Sequence, residues 1–377
     1  MEIGSIFEIN PNRIEKAKQN QGENLCLCEV KKYGKKNTFY TSSGRQAISL
    51  ALKSLEKSRP DIQKKCLLPA YMCDTVFFPF EQNGWEIFFY HIGRDMRVDK
   101  EELCQLINSI KPTLLFIHAY YGVDTWKDLR PTLHKYRHSG LILMEDMTQS
   151  YYLREVDTQV DYIVGSLRKW YSVPDGGFVV SDEDLSQEFI EEDSYFVTQR
   201  IKTLTAKWDY LDKKEQNQDN VEALQNRKSE YLALNRKMEE YLDKNERVMA
   251  LSGISSAMLS DIDEEADYIR RNTNYKILHQ GFSNRKSVKN VLEELTEDSA
   301  PLYLPIYAQN REDLQKFFCE HDIYVPVLWP VGAENGDILS EDEKYIFSHL
   351  LAIPMDHRYG KAEMDTIINV LEKYENR

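Results

Sequence analysis

The chain has 377 residues with 42% apolar and 29% charged side chains, the balance of a globular protein with room for one large and one smaller domain. Its formal net charge of −14 argues against a nucleic-acid partner or an anionic membrane surface. A small anionic substrate stays open, because a few local cations suffice to hold one.

The opening MEIGSIFEINPNR lacks the apolar core of a signal peptide, and no apolar run approaches the roughly 18 residues of a membrane span. With six scattered cysteines read as reduced thiols, the expected location is the cytoplasm. Cys26 and Cys28 form a C-x-C pair without a second pair or a nearby His, so no metal site is expected.

The first polar signal is FYTSSGRQAIS, where a strand-like piece runs into Ser42-Ser43-Gly44-Arg45 and then a helix, QAISLALKSLEK. Glycine admits close backbone approach, a helix N-terminus offers unpaired N–H groups, and Ser and Arg add a hydroxyl and a charge. That outlines a phosphate cradle; the simpler reading is a serine that caps the helix.

Short apolar runs follow at CLLPA, EIFFYHI, TLLFIH, GLILME, DYIVG and GFVVS, with helical segments such as KEELCQLINSI and LRPTLHKYRHSG between several of them. This alternation predicts an α/β fold with a mostly parallel sheet covered on both faces. In such sheets ligands sit beyond the carboxyl ends of the strands. Two further polar groups fall there. GLILMEDMTQ ends a strand at Glu145-Asp146, with Gln149 three residues on; the carboxylate either caps a turn or faces a basic nitrogen. DYIVGSLRKWYSVPDGGFVV places Ser166, Arg168, Lys169 and Trp170 between two strands. A lysine at a strand end is ordinarily a solvated surface residue. The apolar surroundings here predict instead a desolvated amine, with a lowered pKa and reactivity toward an aldehyde.

From about 205 to 247 the chain is charged and dense in helix formers, with Tyr231, Leu234, Met238 and Tyr241 at helical spacing. A helix or helical hairpin docked along one stripe is expected there. After DEEADYIRRNTNYKILHQGF, the C-terminal part alternates strand (APLYLPIY), helix (REDLQKFFCEHD), strand (IYVPVLWP) and helix (KAEMDTIINVLEKY). The expected organisation is a large domain over 1–204, a charged helical insertion over 205–247 and a smaller α+β domain over 248–377.

An anion cradle, then a strand-end carboxylate, then a lysine some twenty residues later, is the order expected of a pyridoxal 5'-phosphate (PLP) enzyme of the aspartate-aminotransferase type. On SSGRQAI, LPAYMCDTV, HAYYG, EDMTQ and GSLRKW with DGGFVVSD, the chain resembles the DegT/StrS-type aminotransferases. The resemblance implies fold type I and PLP as cofactor. It assigns Lys169 to the cofactor aldehyde and to proton transfer, Asp146 to the pyridine nitrogen and Gln149 to the ring's phenolic oxygen. Ser43, Gly44, Arg45 and Ser166 would hold the phosphate; Cys73 aligns with the position of the ring that stacks on the cofactor, a task that would fall to Tyr71 or another ring. An amino donor (glutamate), a carbonyl acceptor such as a nucleotide-linked keto sugar, and a homodimer are implied likewise. GISSAM carries Ser255 and Ala257 where the family has Asn and Arg. A PLP-dependent lyase of the same fold and a non-catalytic binding or regulatory protein are the rival readings.

Overall fold

The computed structural model describes residues 2–20, 25–185, 190–245, 247–292, 299–329 and 338–377. All six apolar runs form strands. With an earlier strand they make a seven-stranded sheet of β1 (Asn37–Thr41), β2 (Lys65–Pro69), β3 (Glu86–Tyr90), β4 (Leu114–His118), β5 (Ile142–Asp146), β6 (Tyr162–Ser166) and β7 (Gly177–Ser181). The strand order is β1-β7-β6-β5-β4-β2-β3. β2 pairs parallel with β3 and β4, and β4 with β5, whereas β1 and β7 run antiparallel. β4 to β7 are buried along their whole length, which is why they read as continuous apolar runs rather than alternating ones.

By its contacts the chain divides into two compact units, one of residues 6–60 and 164–263, the other of 2–5, 61–163 and 264–377. In the first, α1 (Gly44–Ser58) follows β1 directly. The charged segment belongs to a hairpin of α4 (Ser194–Glu215) and α5 (Val221–Lys244) that begins upstream of 205. Of the predicted stripe, Tyr231 and Met238 are buried and Leu234 and Tyr241 half-buried; Leu242, outside it, is buried too, and Met238 and Leu242 meet Phe196 of α4. A short helix, α6 (Gly253–Ser260), closes this unit. Among the described residues no helix is long and apolar enough to cross a membrane.

In the second unit α2 (Lys100–Ile110) and α3 (Arg130–His138) connect the parallel strands. Its C-terminal part is the antiparallel sheet of β8 (Val288–Asn290), β9 (Tyr303–Ala308) and β10 (Leu350–Pro354), in the order β10-β9-β8. α7 (Glu264–Phe282), α8 (Arg311–Glu320) and α9 (Lys361–Glu375) share one core with it, including Leu278, Leu304, Phe318, Leu351 and Ile367. The strand expected over IYVPVLWP forms only at Ile323–Tyr324, paired with Ile3–Gly4. Pro326 cannot donate to a ladder, which ends the pairing there, and Pro330 lies outside the described residues.

Arg130, at the start of α3, ties this unit together electrostatically. Its guanidinium donates to Glu145 at 2.6 and 2.9 Å, to Asp124 at 3.0 Å and to Asp157 at 3.4 Å. Burial pushes the Glu145 carboxyl up, and Arg130 pulls it back only in part. Arg130→Ala should therefore cost about 3–5 kcal/mol at neutral pH, the loss expected when a buried carboxylate keeps its charge without its partner. A carboxyl raised in the folded state supports stability below its unfolded pKa and loses that support as pH rises through the folded one. The variant's deficit in urea unfolding should be smaller at pH 5 than at pH 8.

Candidate functional site

In the first unit the end of β1 and the start of β7 lie side by side, with Thr41 opposite Gly177. The chain leaves β1 through Ser42 and Ser43 and enters α1 at Gly44. Two glycines make this approach possible. Gly176 has φ +153° and donates its N–H to the Ser42 carbonyl at 2.7 Å, and a Cβ on Gly177 would collide with the backbone of Ser43. A Cβ on Gly44 would lie 3.1 Å from that of Ser166, so the bend and the end of β6 are in close contact.

Ser43 occupies the N-cap of α1 with extended backbone, yet its side chain makes no capping bond. The capping reading therefore fails. The hydroxyls of Ser42 and Ser43 are buried and have no hydrogen-bond partner among the described residues, nor does the Gln46 amide nitrogen. The first N–H groups of any helix lack intrahelical acceptors. A concave set of unclaimed donors at a helix N-terminus is what a phosphate or similar anion requires.

The turn from Ser166 to Gly177 carries Lys169. Leu167 and Trp170 are 0% exposed and anchor it inward. Lys169 itself is exposed, contrary to the expected desolvated amine. In the short 3-10 turn over Leu167–Lys169 the apolar neighbours fill the interior and the lysine takes the outer position. Trp170 is a core residue. Arg168 neither faces solvent nor meets the bend: it pairs with Glu239 of α5 at 3.1 Å and lies over the Phe196 ring. Arg45 is likewise paired with Asp243 of α5. Arg200 of α4 donates to Asn235 at 2.5 Å and shares Glu239; burial, then the charge of Arg168, lower its pKa to about 10.

GISSAM forms α6, with Ser252 as its N-cap. Ser255, standing where the resembled family has Asn, bonds Asp175 together with Ser252. Burial raises the Asp175 carboxyl to about 6 despite these donors.

In the second unit, β4 and β5 run parallel with His118 opposite Asp146, so both residues end their strands at one edge. His118 Nδ1 lies 3.2 Å from Asp146 Oδ2, an electrostatic contact rather than a well-directed hydrogen bond. The Thr148 N–H donates to Asp146 at 2.8 Å. Burial alone would raise the Asp146 carboxyl; His118 and Thr148 outweigh it and hold the group below the usual range. The pattern HAYYG gives His118 no role by itself; the pairing register of β4 and β5 sets it beside Asp146.

Gln149 accepts the Tyr121 N–H at 3.1 Å, while its amide NH2 makes no bond among the described residues. Tyr71 is fully buried, donates to the Leu328 carbonyl at 2.7 Å, and packs against Trp329 and Phe347, each at 5.0 Å between ring centroids. Cys73 is half-buried, with its sulfur 3.2 Å from the Thr75 hydroxyl. Thus Ser43, Gly44, Arg45, Ser166 and Lys169 fall in the first unit, and Tyr71, Cys73, Asp146 and Gln149 in the second.

No family model matches the sequence, and no curated protein does. Solved structures match over essentially the whole chain. The Helicobacter pylori aminotransferase PseC, involved in the biosynthesis of pseudoaminic acid, aligns with TM-score 0.68 and 13% identity, covering 100% of both chains. The sugar aminotransferase CalS13 from Micromonospora echinospora gives 0.66 and 14%, over 99% of this chain and 100% of that one. NtdA from Bacillus subtilis, solved with bound cofactor PMP, gives 0.64 and 14%, over 98% of this chain and 83% of that one. The chain therefore has the fold of these aminotransferases, fold type I, as its sequence predicted.

The glycine contact is directly testable. Gly177→Ala forces a methyl group against the Ser43 backbone and should cost at least about 1–3 kcal/mol in thermal unfolding. Gly140→Ala has open space at its Cβ but φ +105°, so it controls for backbone strain without a steric clash.

Proposed function

We propose that the protein is a PLP-dependent aminotransferase that moves an amino group from an amino acid, glutamate in the first instance, to the carbonyl of a sugar substrate. The observation that carries this reading is the buried Asp146, held ionised at a strand end by His118 and Thr148 in a fold shared with aminotransferases. A carboxylate with that bias is suited to a protonated ring nitrogen.

In this reading the chain's own groups divide among the parts of the cofactor. The unclaimed Ser42 and Ser43 hydroxyls and the free amides of α1 suit its phosphate, with Ser166 beside Gly44. Arg45 joins them only by leaving Asp243 or by sharing its charge. The free NH2 of Gln149 can donate to the phenolic oxygen. Tyr71 and Cys73, following β2, are the ring-side residues of this reading. When bound, PLP supplies an electron sink for the carbon that loses its proton. Asp146 would keep the proton on the pyridine nitrogen. Lys169 would provide the amine for the aldehyde, and its Nζ would carry the proton to and from the substrate carbon. An exposed lysine is free to take both tasks, since among the described residues it makes no bond that would have to break first.

The balance is neutral in electrons: the donor's amine becomes a ketone as the acceptor's ketone becomes an amine. A nucleotide-linked keto sugar is the acceptor this reading favours, by likeness to sugar aminotransferases. A homodimer in the cytoplasm goes with it.

Purified protein loaded with PLP should show the visible absorbance of a lysine-bound pyridoxal group, and glutamate should bleach it. Lys169→Ala should lose that band and at least about 100-fold in amino transfer. Asp146→Ala should keep the band but lose transfer by a similar factor. Bound PLP that glutamate leaves unchanged while substrate is eliminated would favour a lyase. Protein that takes up no PLP would favour a binding role.

A further inference from the structure

The turn that bears Lys169 is held from its far end by a carboxylate that has no part in the chemistry above. Asp175 is 0% exposed. It accepts the Ser252 N–H at 2.9 Å, the Ser252 hydroxyl at 2.6 Å and the Ser255 hydroxyl. Its own N–H donates to Ser255 Oγ at 3.3 Å, and the Ser255 N–H donates to Ser252 Oγ at 3.2 Å. Each hydroxyl thus already accepts an N–H and directs its proton to the carboxylate. Three donors converge on one acceptor group.

The next residue distributes that anchorage. The Gly176 carbonyl accepts the N–H groups of Leu167 at 3.0 Å and Arg168 at 3.4 Å, and its N–H donates to Ser42 at 2.7 Å. One residue, through the two peptide groups that flank it, therefore ties the first residues of the lysine turn to the Ser42–Gly44 bend. The α6 end is fixed in turn, because Leu251 and Ser42 exchange backbone bonds with the segment opposite: Leu251 N–H to Tyr40 and Ser42 N–H to Met249. Burying a charge here opposes folding. Its retention is accounted for by geometry rather than by net stabilisation.

We propose that Asp175 is a positioning residue, which, clamped by Ser252 and Ser255, fixes through Gly176 the placement of the Lys169 turn against the Ser42–Gly44 bend. This rests on Lys169 and the bend serving PLP, as proposed above. The SxxS start of α6 would then supply a function of its own in place of the Asn and Arg of the resembled motif.

Asp175→Asn is a sharp test, because an amide cannot accept all three donors. One orientation sets its NH2 against the Ser252 N–H, and the other leaves both hydroxyl protons without an acceptor. The variant should bind PLP about 10–100-fold more weakly, the loss typical when an outer partner of a bound group is removed. Without PLP, amide exchange over 167–176 should already be faster than in the wild type. Ser255→Ala, which leaves the carboxylate two donors, should fall between the two and serves if Asp175→Asn does not fold. Leu55→Ala, in the buried last turns of α1, matches for lost thermal stability and should change neither readout. Unchanged PLP affinity and exchange in both Asp175→Asn and Ser255→Ala would overturn the proposal. Wild-type protein that takes up no PLP would instead overturn the functional reading, while the exchange comparison would still decide whether Asp175 holds the turn.

Discussion

Backbone meets backbone where the turn after β6 returns to the sheet, and nothing larger than hydrogen fits between Gly177 and Ser43. That close approach sets the start of β7 beside the end of β1 and opens α1 at Gly44, where the Ser42 and Ser43 hydroxyls are buried without partners among the described residues. The lysine turn hangs from the same contact through Gly176. A single side chain inserted there would disturb the Ser42–Gly44 bend, the register of an edge pair and the carrier of Lys169 together.

Three buried carboxylates illustrate how donor type decides charge state in this chain. Asp146 is held low because His118 and the Thr148 N–H and hydroxyl outweigh its burial. Glu145, the adjacent residue, is raised by its burial although Arg130 grips it with two bonds, and the negative charges of Asp124 and Asp157 add to the rise. Asp175 has several donors, yet they are neutral apart from the more distant Arg168, and burial wins. Of these three, only Asp146 is biased toward a permanent negative charge.

The α4–α5 hairpin has its own electrostatic logic. Glu239 receives Arg168 and Arg200, and Asp243 receives Arg45. Cations near the cradle and the lysine are thereby matched by carboxylates from one helix, which keeps three guanidinium groups close together despite their repulsion. The apolar stripe of Met238 and Leu242 places that helix, and its charged side then reaches the arginines.

Continuous apolar runs made the buried strands and the mostly parallel sheet legible without coordinates, because a strand covered on both faces must be apolar at every position. The bend at Ser43-Gly44, the strand-end Asp146 and the lysine turn were legible for a related reason: polar groups that interrupt such runs have few structural uses. Lys169's exposure was not legible, since a 3-10 turn decides which of three consecutive residues faces outward. Neither were the free Ser43 hydroxyl, His118 beside Asp146, Arg45 with Asp243, or Asp175 with Ser252 and Ser255. Those relations join residues 28 to 198 positions apart or depend on one rotamer, and local pattern carries no record of either. Periodicity reports which face of an element is buried; which groups meet on that face follows from packing the elements together.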